Sequence, residues 1–168
     1  AEDMFDGLMS ALERQLRETR FSLGDRPCAV DAVLFGAVRA HLGADPEPAQ
    51  RLAAYPNVLQ WVASPPSWSA DDTLLDSTRP GPFAEFVLTQ LGGQYRQWIM
   101  GNAQALKEGQ KAFLIPVGGQ DISYRVRAYS ETSRAHLAHW LNTLSGDDAA
   151  AADELLSRYD LASVFALE

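Results

Sequence analysis

Apolar residues recur at three- and four-residue steps at the start of the chain. Met4, Leu8, Met9, Leu12 and Leu16 share a side, with Glu13, Arg14, Arg17 and Glu18 on the other. That period predicts an amphipathic helix over 5–19. Residues 21–27 interrupt it. Gly24 can supply a positive φ for a turn, and Pro27 fixes its own φ while restricting Arg26. The next helix is predicted over 29–42. Val30, Ala32, Val33, Leu34, Phe35, Ala37, Val38 and Leu42 make it apolar around most of its girth, and only Asp31, Arg39 and His41 interrupt. A helix of that kind is expected at the centre of a domain, packed on several sides. Its small residues (Ala29, Ala32, Gly36, Ala37, Ala40) would let neighbours approach closely.

Short helices follow over 47–54 and 56–63. Pro56 suits the first turn of the second, where a missing N–H costs nothing. Residues 64–82 read as a long irregular excursion that Trp68, Leu74 and Leu75 pin to the body. A long helical pattern covers 83–108, with Gly92-Gly93 inside it. Each glycine weakens a helix by about 1 kcal/mol relative to alanine, so a kink is expected there. The period then changes. Residues 112–117 form a short apolar run, Gly118-Gly119 is a turn signal, and Ile122, Tyr124 and Val126 alternate with polar neighbours. This predicts a small hairpin near 112–128, irregular or at an edge where Pro116 cannot donate. Helices over 130–144 and 149–159 complete the chain. Trp61, Trp68, Trp98, Trp140, Tyr95 and Tyr124 fall at core spacing.

Composition narrows the class. In 168 residues, 46 % are hydrophobic and 21 % charged, which suits one folded domain and argues against disorder. The formal net charge of -8 disfavours nucleic acid and anionic membranes as partners, although a local basic patch can still form in three dimensions. The single Cys28 forbids an internal disulfide, which with the absence of a secretory signal makes the cytoplasm the expected compartment. Residues 1–166 are expected to form a single helical domain. The first helix begins so near the first residue that a preceding segment is expected. Leu167-Glu168 reads as a pair left by a cloning site before a purification tag.

The most informative piece is FSLGDRPCAVDAVL, residues 21–34. With Cys28 as N-cap, Asp31 stands at the third helical position. Its carboxylate can reach back to the N-cap N–H and gains from the positive helix end. The reciprocal half of that box needs a hydroxyl, and a thiol is a weaker partner. The stretch resembles the loop and central helix of glutathione transferases, where leucine–glycine–aspartate–x–proline precedes a Ser or Thr cap and an Asp three places on. YPNVLQW, residues 55–61, resembles the family's proline–x–valine–x–x–tryptophan helix at the family's spacing. The resemblance covers 5–65, the core motif region, and weakens over the extension 66–166. It implies a mainly α fold: a glutathione-transferase C-terminal-like helical bundle of six or seven helices carrying the hairpin. Cys28 and Asp31 are then structural capping residues, and Gly24 and Pro27 structural turn residues.

No catalytic, cofactor-binding or metal residue emerges from the sequence. Cys28 lies at a helix N-terminus, but Asp25 and Asp31 nearby disfavour a thiolate. His136 and His139 are three apart on one helix, with His41 remote, and zinc needs three or four ligands. The pairs Asp71-Asp72 and Asp147-Asp148 read as a solvated turn and a helix N-terminus. Gly118-Gly119 and Gly92-Gly93 lack the Lys and Ser/Thr partners of a phosphate loop.

The resemblance implies more. In the family a thioredoxin-like N-terminal domain binds glutathione and stabilises its thiolate for attack on an electrophile. The helical domain walls part of the apolar electrophile pocket. This chain lacks the pattern of that first domain and the family's first C-terminal helix. Its expected partner is therefore the missing thioredoxin-like domain, and glutathione is implied for the parent protein only. A homodimer is expected of the full-length protein, no cofactor of this chain, and no enzyme activity of the chain alone. A second reading, from a different class, is a non-catalytic interaction or scaffold module of transferase-like fold. A third is a stand-alone small-molecule binder, which needs an enclosed apolar pocket.

Overall fold

The computed structural model describes residues 2–76 and 78–166. The Leu167-Glu168 pair lies outside them. The fold is mainly α with one antiparallel hairpin, the architecture of a glutathione-transferase C-terminal-like helical bundle. The chain packs as two compact units, Ala1–Val87 and Leu88–Glu168.

In the first unit, α1 (Glu2–Glu18) buries Met9, Ala11 and Leu12. The helix α2 (Ala29–Ala37) continues as a π-helical turn, Val38–Leu42. Then come α3 (Pro46–Leu52) and α4 (Pro56–Ala63), each with proline in its first turn. A single cluster joins Met9, Leu12, Phe21, Val38, Leu52, Val58, Trp61, Val62 and Phe83. Trp61 meets Phe35 edge-on, with ring centroids 5.8 Å apart.

The expected hub helix is not surrounded. Leu34, Phe35, Val38 and Leu42 pack on the core, but Val33 is 71 % exposed and Val30 37 %. Gly36 has open space where a side chain would stand. An apolar girth fixes what a helix offers for packing, and among the described residues the first unit's core covers one side of it.

The irregular segment 64–81 is held differently from expectation. Trp68, Leu74 and Leu75 are outward, so they do not pin it. Backbone bridges do: Leu75 N–H donates to Leu23 (2.8 Å) and Asp25 N–H to Thr73 (2.9 Å). Gly24, at φ +138, pairs with both Phe21 and Leu74, and a Cβ there would press on the Leu74 and Leu75 backbone. Arg20 adds an ion pair to Asp72 (2.5 Å) and a bond to the Ser67 carbonyl (3.0 Å).

The helix α5 (Pro82–Gln90) passes through a π turn, Leu91–Tyr95, into α6 (Arg96–Lys107). Gly93 is non-helical at ψ -115, so the expected kink falls there. Gly92 meets the carbonyl of Tyr159 so closely that a Cβ would overlap it.

In the second unit, β1 (Ala112–Val117) and β2 (Gln120–Arg125) pair from Ala112↔Arg125 to Val117↔Gln120. Gly118 (φ 59) and Gly119 (φ 81) form the two-residue turn, whose two positive φ values suit the strands' twist. Phe113 and Ile115 bury one hairpin face with Ala105 of α6. Then follow α7 (Ala128–Leu141) and α8 (Gly146–Arg158). Ile99, Leu161 and Val164 form a second cluster. Asn102, fully buried, donates to the Arg127 carbonyl (3.0 Å) and accepts from its N–H (2.7 Å), tying the chain after β2 to α6.

Candidate functional site

The best-formed polar arrangement is the start of α2. Asp31, 4 % exposed, accepts from the N–H groups of Cys28 and Ser22 at 2.8 Å each. The Cys28 thiol donates to the same carboxylate at 3.2 Å, and its sulfur faces the Asp31 N–H, so both halves of the box are occupied. The sequence predicts a weaker reciprocal half, because a thiol stands there in place of a hydroxyl. A sulfur with a longer reach fills it, weakly. Burial raises the Cys28 pKa, and its bond to Asp31 reinforces this against the opposing Asp31 N–H. A thiol held neutral is a poor nucleophile. Pro27 and Gly24 shape the loop before the cap, and Ser22 Oγ is buried without a partner.

Beside this cap, Val30, Val33 and Gly36 face outward along α2, flanked by exposed Ala29, Ala32 and Ala40. The face is apolar, and most of its side chains are small. Arg39 leans over the Phe35 ring at 5.6 Å.

An open cleft of about 280 Å³ lies between α1 and α4, lined by Thr19, Arg20, Asn57, Gln60 and Trp61 among others. A groove of about 420 Å³ between α6 and α7 is lined by Leu106, Arg134, Ala135 and Ala138 among others. Arg134 is committed there to Glu131, through bonds of 2.9 and 2.6 Å, and to the Val164 carbonyl.

Other sequence candidates are not brought together. Among the described residues no group of three or more His, Cys, Asp or Glu side chains could hold a metal. His136 and His139 are both exposed on α7. Asp72 accepts from Ser69 N–H and pairs with Arg20, which lowers its pKa, the N–H contributing most. Asp147 and Asp148 stand in the first turn of α8. Among the described residues no helix is long and apolar enough to cross a membrane. Of the aromatics assigned to the core, Trp61 is buried and Trp98 and Tyr124 half-buried, whereas Trp68, Tyr95 and Trp140 are exposed.

Glu13, assigned to the wet side of α1, is 4 % exposed. It accepts from the N–H groups of Asn57 (2.9 Å) and Val58 (3.1 Å) and from the Asn57 amide (2.5 Å). It caps α4 from another helix, because Tyr55 at the N-cap makes no side-chain bond to it. The signal available was Tyr55 itself, a cap residue unable to cap.

Residues 1–64, which hold α1 to α4 and the α2 cap, match the family described as glutathione S-transferase, C-terminal domain. No curated protein and no solved structure matches the chain.

Proposed function

We propose that this chain works as the C-terminal helical domain of a glutathione transferase-like protein. In this reading the outward face of α2 packs against a thioredoxin-like domain that binds glutathione. The observation that carries the reading is the exposed apolar face of α2 in a segment matching that family. Val33 is largely exposed and Val30 partly so, so covering them contributes less than the ~1.5–3 kcal/mol of fully burying each, a gain that favours docking. Small neighbours at Ala29, Ala32, Gly36 and Ala40 allow close approach of the partner's backbone.

The parent's reaction would join the glutathione thiol to an electrophile. The thiol would give its proton to a base of the partner domain, and the thiolate would form the carbon–sulfur bond as the electrophile's leaving group departs with its bonding electron pair. The helical domain's share is one wall of an apolar pocket that excludes water and orients the electrophile. The neutral Cys28 thiol takes no part in it.

The reading requires a thioredoxin-like domain encoded with this chain. Hydrogen exchange tests it, comparing the chain alone with the chain joined to that domain. The α2 amides should gain protection in the joined protein, and Val33→Asp should abolish the gain. Unchanged exchange would overturn the docking role. The chain alone should pass through immobilised glutathione unretained and should not conjugate glutathione to a generic aromatic electrophile.

A further inference from the structure

The outward side of α7 carries residues that a helix in water has no use for. Tyr129 is 82 % exposed, Trp140 57 % and Leu137 42 %. At 100° per residue Tyr129, Ser133, His136 and Trp140 fall within one stripe about 60° wide, with Leu137 flanking it, so the aromatic ends are separated by a small polar side chain. The opposite side holds Ala138, fully buried. The stripe runs about 16 Å, three turns, at 1.5 Å per residue.

Charge distinguishes the N-terminal end of this stripe. Arg125 closes β2 and Arg127 is the residue before α7; both are exposed, and among the described residues no ion pair engages either. Cations are disfavoured at a helix N-terminus, so α7 gains nothing from them. The backbone of Arg127 is fixed by both bonds to buried Asn102, which holds the site in place. From 122 to 146 the only carboxylate is Glu131, and it is paired with Arg134. In a chain of net charge -8, two exposed arginines thus lead into a helix that carries exposed aromatics, with Asp121 and Asp147-Asp148 bounding the stretch. Tyr, Trp and Arg are the residues enriched at the centres of protein interfaces.

We propose that the outward face of α7, with Arg125 and Arg127 at its end, docks an acidic amphipathic helical segment of another protein. The partner segment would span about three turns to match the stripe. Its apolar side chains would pack on Tyr129, Leu137 and Trp140, and carboxylates at one end would meet the two arginines. Charge complementarity selects this occupant over a second copy of the chain in register, which would bring the same arginines together at a two-fold axis or leave them unpaired. The proposal does not depend on the role given to α2, and it describes the kind of surface a scaffold module needs.

The test uses a labelled synthetic helical peptide with Leu and Phe on one face and Glu at one end, measured by fluorescence anisotropy against the full chain. A twin peptide carries Lys in place of Glu. The acidic peptide should bind, weaken as salt rises, and exceed its twin by about tenfold or more. The double variant Arg125→Glu, Arg127→Glu should weaken binding by about tenfold, and so should Trp140→Ala. Val33→Asp should leave it unchanged, which separates this surface from α2. Circular dichroism checks that each variant folds; all the altered side chains are exposed, and the twin-peptide comparison needs no variant. Equal binding of the two peptides, binding indifferent to the arginine and tryptophan changes, or no binding of the acidic peptide would overturn the proposal. So would tighter binding of a single-stranded oligonucleotide or of phosphatidylserine vesicles, or self-association of the peptide-free chain that Trp140→Ala removes.

Discussion

Glu13 shows how one side chain can serve two elements. It belongs to α1 by sequence and completes α4 by contact, accepting from two main-chain N–H groups that Tyr55 leaves without a cap. Removing it leaves buried donors unmet. Glu13→Ala should therefore cost about 2–4 kcal/mol in urea denaturation, while Glu13→Gln retains part of the bonding and costs less. Arg17, 3.5 Å away and largely exposed, should matter little. Cys28 is the converse case, a residue in the right place with weak chemistry. Cys28→Ser should raise stability by about 0.5–1 kcal/mol, because a hydroxyl bonds Asp31 better than a thiol. A loss in chemical denaturation would mean that the sulfur packs as a hydrophobe. Because burial raises its pKa, the thiol should react with iodoacetamide at neutral pH more slowly than a free cysteine does.

Elements in the first unit are joined by main-chain bonds at two points where side-chain periodicity is silent. The segment 64–81 has no repeating pattern, yet Gly24 lets it approach as a bridge. Gly24→Ala combines a strained φ with a clash against backbone, and should destabilise by about 1–3 kcal/mol or more in thermal unfolding. The same attachment responds to acid. Asp72 has its pKa lowered by Ser69 N–H and then by Arg20. A carboxyl with a lowered folded value contributes stability that is complete above its unfolded value and disappears as pH falls through the folded one. The Leu75 and Asp25 amides should thus lose hydrogen-exchange protection below about pH 4 and keep it at neutral pH. Arg20→Ala should produce the loosened state at neutral pH. Both partners are partly exposed and the pair ties down only this segment, so the effect is local to it.

Across the molecule, the two sides of α2 make opposite predictions from the same residue type. Val38→Asp buries a charge in the first unit's core and should prevent folding or cost several kcal/mol. Val33→Asp lies in solvent and should stay within about 0.5 kcal/mol in denaturation of the chain alone. The hydrophobic period could not separate them, since both valines extend the same apolar girth. Periodicity, glycine and proline did mark the elements themselves. The α4 boundaries, the kink at Gly93, the Gly118-Gly119 turn and the Asp31 cap are all legible because each depends on residues within a few places of one another. Which apolar face is covered, why Glu13 is inside, and why Tyr129 and Trp140 are outside depend on elements distant along the chain. Local sequence states what surface an element offers; only the packed chain determines which of that surface meets a neighbour and which is left to water.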